Sequence, residues 1–596
     1  MKAIPAIVAC LVSVVPLMAE EEEKPIVAIY DLEGLISESG QSDPSLLGGL
    51  EMDSARPLTL FDITRSLGDA AADPRVKAIV LDVDDAALGL SQIQEIRRRL
   101  LSARAAGKDV WLYSDAYTNA TALLGSAANH FTLMPEGDVS FSGIHAESLY
   151  FKGLLDKAGV VADVIHIGDF KSFGEEFYRT GPSDFARSQQ EELINGIFEQ
   201  IVSQVAEGRK VEPKKVRAMV DLGTFTASAA KEAGLVDALS HRTDFSKAVK
   251  AAYEGAEIDH RYALPDLDGP EIEGIFDLFK LMFQDEEAKG GKRDYLAVVA
   301  LEGEISNESI APVRAEILSL LKDERAKGLV LRVDSPGGSA LASEVLWEAT
   351  DEWKAAGRPF VVSMGEVAAS GGYYVASGAD RIFAEEGTVT GSIGVVGMKF
   401  VLGGAMEKLG ISSHSTQRGK NAGADSMFRP FTADESKRVR ESMLQVYGTF
   451  KKRIEDGRGD RLKGELESMA GGRVFTGRRA LELGLVDELG GLGEAIAHVA
   501  KKAGLDTDSA KLLPEPKSAL EGLFAAPEEP ADDEIIRMGA RRSPIAAALR
   551  ATLDETQAAA LPQPVRGVLA KVLRRTASCA DGKVQLIGPD LRIQLD

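Results

Sequence analysis

The chain has 596 residues, 44% of them hydrophobic and 27% charged, which suits a globular protein with more than one domain. Its formal net charge of −23 argues against a nucleic-acid-binding surface, because phosphates are neutralised by clustered Lys and Arg. With only Cys10 and Cys579, a disulfide framework and a thiolate metal site are both excluded. The seven histidines have no metal-ligand spacing, so we expect neither a metal nor another cofactor.

The N-terminus has the pattern of a secretory signal. Lys2 is followed by an apolar run from Ala3 to Met18, and Ala19 precedes four glutamates. One cation, a short apolar segment and a small residue before charged residues are typical of a signal peptide. The run is at the short limit for a spanning helix, so an uncleaved membrane anchor is the alternative. Both interpretations of residues 1–19 predict that the main chain lies outside the cytoplasm.

Self-comparison indicates that the chain contains two copies of one unit. Gly-Leu-Val-Asp occurs at residues 234–237 and again at 484–487, an offset of 250. Several matches at one offset indicate a duplication. We therefore expect repeat one at 24–264 and repeat two at 294–505. The other matches at this offset pair 76–84 with 326–334, 105–108 with 355–358, 136–137 with 386–387, and 225–226 with 475–476.

Each repeat alternates apolar strands with amphipathic helices. This alternation predicts right-handed crossovers and a mostly parallel sheet, so the expected fold class is α/β with two tandem repeats. In repeat two, short apolar segments predict buried strands, and longer amphipathic segments predict helices packed on them. The predicted strands are 296–301, 328–333, 359–363 and 381–384, and the predicted helices are 340–356 and 434–456.

Two segments lie outside the predicted repeats. Residues 265–293 are expected to form a linker, and its apolar piece Ile275–Phe283 predicts a helix packed on one domain, with contact to a membrane surface as the alternative. Residues 506–596 begin with a second linker rich in Pro, Ala and acidic residues, and continue as a C-terminal extension. The extension has short helix-like pieces and a strand-like end at 583–595. The sequence assigns no chemistry to it.

The repeats differ at a glycine pair. Repeat two has Gly337-Gly338 after a predicted strand, where repeat one has Ala87 and Leu88. Adjacent glycines let the backbone approach a ligand and turn its N–H groups inward. Repeat one has lost this possibility, so we expect chemistry in repeat two.

A second difference concerns Ser370. It stands among small residues at a predicted strand-to-helix turn, and Asn119 lies opposite it in repeat one. A helix N-terminus behind a serine supplies oriented N–H groups for developing negative charge. A serine in such a sequence is more often a helix cap. The glycine pair in repeat two, and the loss of both features in repeat one, favour a nucleophile.

A serine nucleophile needs a base, and no histidine lies in either motif. Lys171 and Lys420 occur in nearly matching loops of the two repeats. A lysine acts as a base near neutral pH only when burial lowers its pKa by several units. A loop lysine is normally a solvated surface charge. The residues alone leave both lysines as candidates.

Together these motifs resemble the signal peptide peptidase A family of membrane-associated Ser-Lys proteases, in its long tandem-domain form. The resemblance covers about residues 24–505 and implies the Clp-protease and crotonase type of α/β fold. It implies Ser370 as nucleophile, and the N–H groups of Gly338 and Gly371, with Gly337, as oxyanion donors. The motifs in order are Asp334–Gly338, Ala368–Tyr374, Thr390–Gly394 and the lysine loop.

The resemblance also implies a base. Ser392 would hydrogen-bond the catalytic lysine. Long forms of the family take the serine from the second domain and the lysine from the first. This favours Lys171, with Lys420 as the alternative base.

By the same resemblance, we expect an extracytoplasmic, membrane-associated serine endopeptidase that degrades remnant signal peptides and other hydrophobic peptides. It would assemble as a homotetramer. Two other functions stay open. A crotonase-like acyl-CoA enzyme would also use a Gly-Gly oxyanion turn, but CoA is cytoplasmic and the secretory signal argues against it. A catalytically silent scaffold could bind hydrophobic peptides, although the intact Ser370 and both lysines argue against that.

Overall fold

A computed structural model describes residues 24–40, 56–266, 293–515 and 585–587. The predicted signal or anchor segment and the apolar piece of the first linker lie outside these residues. Within the described ranges, no helix has the length and apolar character needed to cross a membrane.

Repeat one is built on a parallel sheet of six strands in the order β6-β4-β3-β2-β1-β7. Its apolar strands pack against the flanking helices, as expected for a parallel sheet covered by helices. Its elements are β1 (Ile26–Leu35), α1 (Leu60–Ala72), β2 (Val76–Ala87), α2 (Leu90–Ala105), β3 (Asp109–Tyr117), α3 (Asn119–Gly125), β4 (His130–Val139), α4 (Lys152–Ala158), β5 (Val161–Ile167), α5 (Glu175–Tyr178), α6 (Asp184–Arg209), α7 (Pro213–Leu222), α8 (Ala227–Glu232), β6 (Ala238–Leu239), α9 (Arg242–Ala252) and β7 (Glu257–Asp259).

Repeat two repeats this plan with a second sheet. Its elements are β8 (Tyr295–Glu302), α10 (Asn307–Lys322), β9 (Ala326–Ser335), β10 (Gly337–Ser339), α11 (Ala340–Ala355), β11 (Phe360–Ala369), α12 (Gly371–Ala376), β12 (Arg381–Ala384), β13 (Val389–Gly391), β14 (Val395–Val401), α13 (Gly403–Lys408), α14 (Ala433–Arg458), α15 (Leu466–Met469), β15 (Val474–Thr476), α16 (Gly477–Leu483), β16 (Glu488–Leu489), α17 (Leu492–Ala503) and β17 (Ala510–Leu513). The strand order is β15-β13-β11-β9-β8-β17, and β12 pairs with β11 and β16. All pairs except β13–β15 are parallel.

These two sheets confirm the predicted α/β class with tandem repeats. One element lies past the expected boundary at residue 505, because β17 pairs with β8 and completes the sheet of repeat two. The predicted strand at 359–363 continues to Ala369, so that β11 ends at the residue before Ser370.

A third, antiparallel sheet joins the repeats. Strand β5 of repeat one pairs with β14 of repeat two along its whole length, from Val161 opposite Val401 to Ile167 opposite Val395. On its other side β14 pairs with β18 (Gln585–Ile587), which in turn pairs with β10. This sheet brings the loop after β5 next to the carboxyl ends of β11 and β13.

Candidate active site

Ser370 lies at a strained turn between β11 and α12. Its φ of +55° and ψ of −111° are sparsely populated for a residue with a side chain, and such strain costs about 1–3 kcal/mol. Ser370 is the N-cap of α12, yet its side chain accepts no capping hydrogen bond. The turn therefore aims the hydroxyl away from the helix N-terminus, where it is available to other partners.

Three closely packed glycines, Gly337, Gly338 and Gly371, lie beside this turn; we call them the glycine wall. A Cβ built on Gly371 would lie 3.2 Å from the Cα of Gly337, so the two turns are in contact. A Cβ on Gly338 would lie 2.1 Å from the carbonyl oxygen of Ile305, which no side chain could tolerate. The Gly337 N–H donates to Ser335 Oγ at 3.1 Å. The Gly337 N–H, one of the three predicted oxyanion donors, is therefore already engaged.

Lys171 of repeat one reaches Ser370 of repeat two. The lysine is 2% exposed, and its Nζ lies 2.8 Å from Ser370 Oγ. The same Nζ lies 2.9 Å from the Ser392 carbonyl oxygen and 3.0 Å from Ser392 Oγ. Ser392 itself has a φ of +54°, the same unusual region as Ser370. The structure thus brings Ser370, Lys171 and Ser392 together in one buried cluster.

Burial sets the protonation of this lysine. It holds the pKa of the Lys171 amine well below its usual range, because the charged ammonium loses its hydration in the interior. No carboxylate is among the causes of this shift. The surroundings therefore favour a neutral amine, which is the form that can accept a proton.

A second glycine pair, Gly471-Gly472, holds the lysine loop and is not among the residues predicted from the sequence. Gly471 accepts a hydrogen bond from Phe170 N at 2.9 Å, and Gly472 donates to the Ile393 carbonyl at 2.8 Å. A Cβ on Gly472 would lie 2.4 Å from Lys171 N, so only glycine allows this approach. A signal was present: repeat one has Asp221-Leu222 at the matching positions, another glycine pair confined to repeat two.

Comparison with known proteins gives the family. The model of peptidase family S49 matches residues 102–258 and 352–506, more than half of the chain. The chain belongs to peptidase family S49. The chain is 30% identical over 500 residues to Protease 4 of Salmonella typhi, covering 80% of this chain and 78% of that protein. It is 29% identical over 464 residues to the chloroplastic serine protease SPPA of Arabidopsis thaliana, covering 75% and 66% respectively.

Protease 4 of Haemophilus influenzae is similar at 30% identity over 472 residues, or 76% of this chain and 75% of that one. The family and these relatives establish that the protein is a serine protease. They agree with the tandem organisation, because the S49 model matches once in each repeat.

Lys420 lies elsewhere in this S49 peptidase. Its side chain is 77% exposed, and its Nζ forms an ion pair with Asp434 at 2.9 Å. Gly168 and Gly419 both have positive φ and mark the same turn in the two repeats. Lys171 comes three residues after that turn, whereas Lys420 comes one residue after it. Lys420 therefore occupies the position of Asp169, and its side chain remains in solvent.

The register of the sheets also changes the counterpart of Ser370. Tyr117 pairs with Val139 in repeat one as Ala369 pairs with Gly391 in repeat two. The residue that follows the strand in repeat one is therefore Thr118, and Asn119 lies one position beyond. Helix α3 is one residue longer than α12, so counting back from the helix C-terminus places Asn119 instead of Thr118 opposite Ser370.

A buried network of charges lies behind the site, at the contact between repeats. Arg332 forms ion pairs with Glu38 at 2.9 Å and Glu95 at 3.2 Å, and all three side chains are buried. Asp334, two residues further on, accepts a hydrogen bond from Val367 N at 2.9 Å. Burial raises the pKa of Asp334 to about 7, with nearby Glu38 adding to the effect. Asp334 immediately precedes the segment that leads to the glycine wall.

Proposed function

We propose that this S49 peptidase is an endopeptidase with a Ser370–Lys171 dyad whose two members come from different repeats. The observation that carries the proposal is the 2.8 Å distance between Lys171 Nζ and Ser370 Oγ in a buried cluster. A serine hydroxyl becomes a useful nucleophile when an adjacent base takes its proton. Lys171 is placed to be that base, and Lys420 is not.

The contacts of Lys171 match those of a neutral amine. Such an amine has two N–H donors and one lone pair. The carbonyl oxygen and the Oγ of Ser392, at 2.9 and 3.0 Å, can accept the two N–H groups. The lone pair then accepts the Ser370 hydroxyl proton along the remaining 2.8 Å contact. Ser392 is thus a positioning residue that aims the lone pair.

The proposed reaction follows from these positions. Lys171 takes the Ser370 proton as Oγ attacks the peptide carbonyl, and the N–H groups of Gly338 and Gly371 stabilise the oxyanion. The lysine then gives its proton to the leaving amine, and the peptide C–N bond breaks. Lys171 next accepts a proton from the water that attacks the acyl-enzyme ester, and returns this proton to Ser370 Oγ as the ester C–O bond breaks. No cofactor takes part in these steps.

We propose remnant signal peptides and other hydrophobic peptides as substrates, cleaved outside the cytoplasm at the membrane. The support is the pattern of residues 1–19 and the motif resemblance over about 24–505. An oxyanion turn could equally serve an acyl-CoA enzyme, but the membership in peptidase family S49 favours peptide hydrolysis.

We also propose that the chain forms a closed ring of four copies. Inside one chain, β5 of repeat one pairs with β14 of repeat two. The segments equivalent to these strands in the opposite repeats are 412–418 and 144–150, since Gly159 and Gly410 mark the same positive-φ turn. Both segments are largely exposed, and in the described structure neither belongs to a strand. Each could pair with the other in a neighbouring copy.

The ring is tested by cross-linking between copies. The register of β5 with β14, transferred to the equivalent segments, places Glu147 opposite Ser415. We expect the variant Glu147→Cys, Ser415→Cys to form disulfide-linked ladders up to a tetramer. As a matched control, Glu147→Cys with Ser426→Cys should not link. A monomer by light scattering would contradict the ring.

The dyad is tested with a fluorogenic hydrophobic peptide and a fluorophosphonate probe. The wild-type protein should cleave the peptide and carry the probe on Ser370, as identified by mass spectrometry. Lys171→Met should remove both activities, and Lys420→Met should retain them. Full activity in Lys171→Met would contradict the proposal.

A further inference from the structure

The C-terminal extension supplies one strand to the sheet next to the candidate active site. Strand β18 (Gln585–Ile587) pairs with β10 in antiparallel register, Gly337 opposite Ile587 and Ser339 opposite Gln585. On its other edge, Gln585 pairs with Val396 of β14. The strand therefore fills a gap between two elements that otherwise belong to separate parts of repeat two.

The two strands on either side of this gap, β10 and β14, both lie close to residues of the candidate site. Strand β10 contains Gly338, a candidate oxyanion donor, and β14 begins three residues after Ser392. Strand β18 also contacts α12, the helix that begins just after Ser370. An extended peptide whose carbonyl is to be attacked by Ser370 must run along this same gap. Backbone pairing with exposed strand edges is a common way to bind such a peptide.

Ser370 is fully buried in this arrangement. Lys171, Gly337 and Gly338 are buried as well. An external peptide can reach Ser370 only after a covering element moves away. Strand β18 is short, with three residues paired on one side and one on the other, so few hydrogen bonds hold it. It is the element in the gap that can leave without disrupting either repeat.

We propose that the segment Gln585–Ile587 occupies the binding position of the peptide substrate and competes with external peptides for it. The inference rests on the proposed dyad, because it identifies the gap beside Ser370 as the substrate site. Attachment to the same chain gives the segment a high effective concentration near the gap. Free substrate must displace it, so the extension lowers the apparent affinity for peptides.

The test compares the full chain with a chain that ends after Glu515, which retains β17 and both repeats. We expect the shortened chain to cleave the fluorogenic peptide with a KM lower by about tenfold, and to react faster with the fluorophosphonate. A synthetic peptide spanning Lys583–Pro589 should inhibit the shortened chain competitively. A scrambled peptide of the same composition should not.

A point variant keeps the test independent of truncation. Leu586→Pro removes a backbone N–H from β18 and should reproduce the lower KM in the full chain. Ala558→Pro, elsewhere in the extension, is the matched control and should behave as wild type. Equal KM and labelling rates in all chains, with no inhibition by the peptide, would overturn the inference alone. Absence of cleavage and Ser370 labelling in every chain would overturn the proposed dyad and the inference with it.

Discussion

The same strand-to-helix turn occurs in both repeats, with a hydroxyl residue at the N-cap each time, and only one turn has the geometry of a reactive site. Thr118 has ordinary extended angles, φ −111° and ψ 179°, and its side chain caps α3 by accepting from Thr121 N. Ser370 has a positive φ and caps nothing. The Thr118 hydroxyl is engaged in a hydrogen bond with its own helix, whereas the strained turn leaves the Ser370 hydroxyl able to bond to a base.

The lysine loops differ in the same way. Lys171 is buried against the glycine pair Gly471-Gly472, and Lys420 forms a surface ion pair with Asp434. Surface ion pairs contribute little to stability, and the Lys420 side chain stays in solvent, away from Ser370. In the proposed mechanism the site is therefore divided between the repeats: repeat two contains the strained serine, and repeat one contributes the buried amine. Neither repeat alone contains both groups.

Removing the hydroxyl groups should give the largest contrast between the repeats. We expect Ser370→Ala to lower kcat on the order of 10⁴- to 10⁶-fold, because the acyl-enzyme cannot form. Thr118→Ala should retain kcat and lose about 1 kcal/mol of stability with the helix cap. Peptidase assays and thermal unfolding measure the two effects. Equal losses of activity would mean that the two turns are not functionally distinct.

The lysines provide the next largest contrast. Lys171→Met should lower kcat by about 10²- to 10⁴-fold, the usual contribution of a general base. Lys420→Met, which changes a solvated charge, should leave kcat unchanged. Activity lost in Lys420→Met and kept in Lys171→Met would move the base to repeat two.

The buried lysine should also lower stability in a pH-dependent way. Its folded pKa lies well below the unfolded value, so the unfolded chain binds the extra proton as the pH falls. The buried lysine therefore destabilises the folded chain more and more as the pH falls from alkaline values to the folded pKa of Lys171. We expect Lys171→Met to raise Tm at pH 7 and to raise it less at pH 10. A lower Tm at both pH values would contradict burial of a neutral amine.

Features that depend on local sequence patterns could be predicted, whereas features that depend on contacts between distant residues could not. The duplication and the α/β class were accessible, because strand and helix periodicity and the repeat offset are local patterns. Gly338 and Ser370 emerged from mismatches between the repeats. The residues alone could not choose between Lys171 and Lys420, since burial of a loop lysine depends on packing between repeats. The preference for Lys171 came from the family resemblance.

Other features of the site were inaccessible for the same reason. The positive φ of Ser370 is a property of the backbone, and it could not be predicted from the residue type. The pairing of Arg332 with Glu38 joins residues far apart in the chain. The strand-like end of the extension was recognised, but its place between β10 and β14 depends on a long-range contact that periodicity does not encode.

The charge network behind the site predicts a pH effect on stability. Asp334 has a pKa of about 7 when folded, above its unfolded value, so its neutral form favours folding. That contribution is present in full below pH 4 and is lost as the pH rises towards 7. Asp334→Asn should therefore gain stability over wild type with rising pH, by roughly 2–4 kcal/mol at pH 8. Denaturant unfolding at pH 4 and pH 8 measures this, with the surface variant Asp221→Asn as control.

A constant difference between Asp334→Asn and wild type at both pH values would show that Asp334 ionises normally. In that case the buried network would not give Asp334 a pKa different from that of an ordinary aspartate, and the two repeats would not differ in this respect. The matching residue in repeat one is Asp84.

The smallest expected effect concerns the residue that aims the lysine. Ser392→Ala removes one acceptor for the Lys171 amine and should lower kcat about three- to tenfold, with KM little changed. Ser140→Ala, in the corresponding segment of repeat one, is the control and should have no effect on kcat. A loss confined to KM would assign Ser392 to substrate binding.

The division of the site between repeats is tested most directly by the pH dependence of Ser370 labelling with a fluorophosphonate. In wild type and Lys420→Met, the rate should fall with decreasing pH along one shared ionisation curve, as Lys171 becomes protonated. In Lys171→Met that curve should disappear and the residual rate should be low throughout. A wild-type curve that persists in Lys171→Met, or vanishes in Lys420→Met, would contradict the shared site.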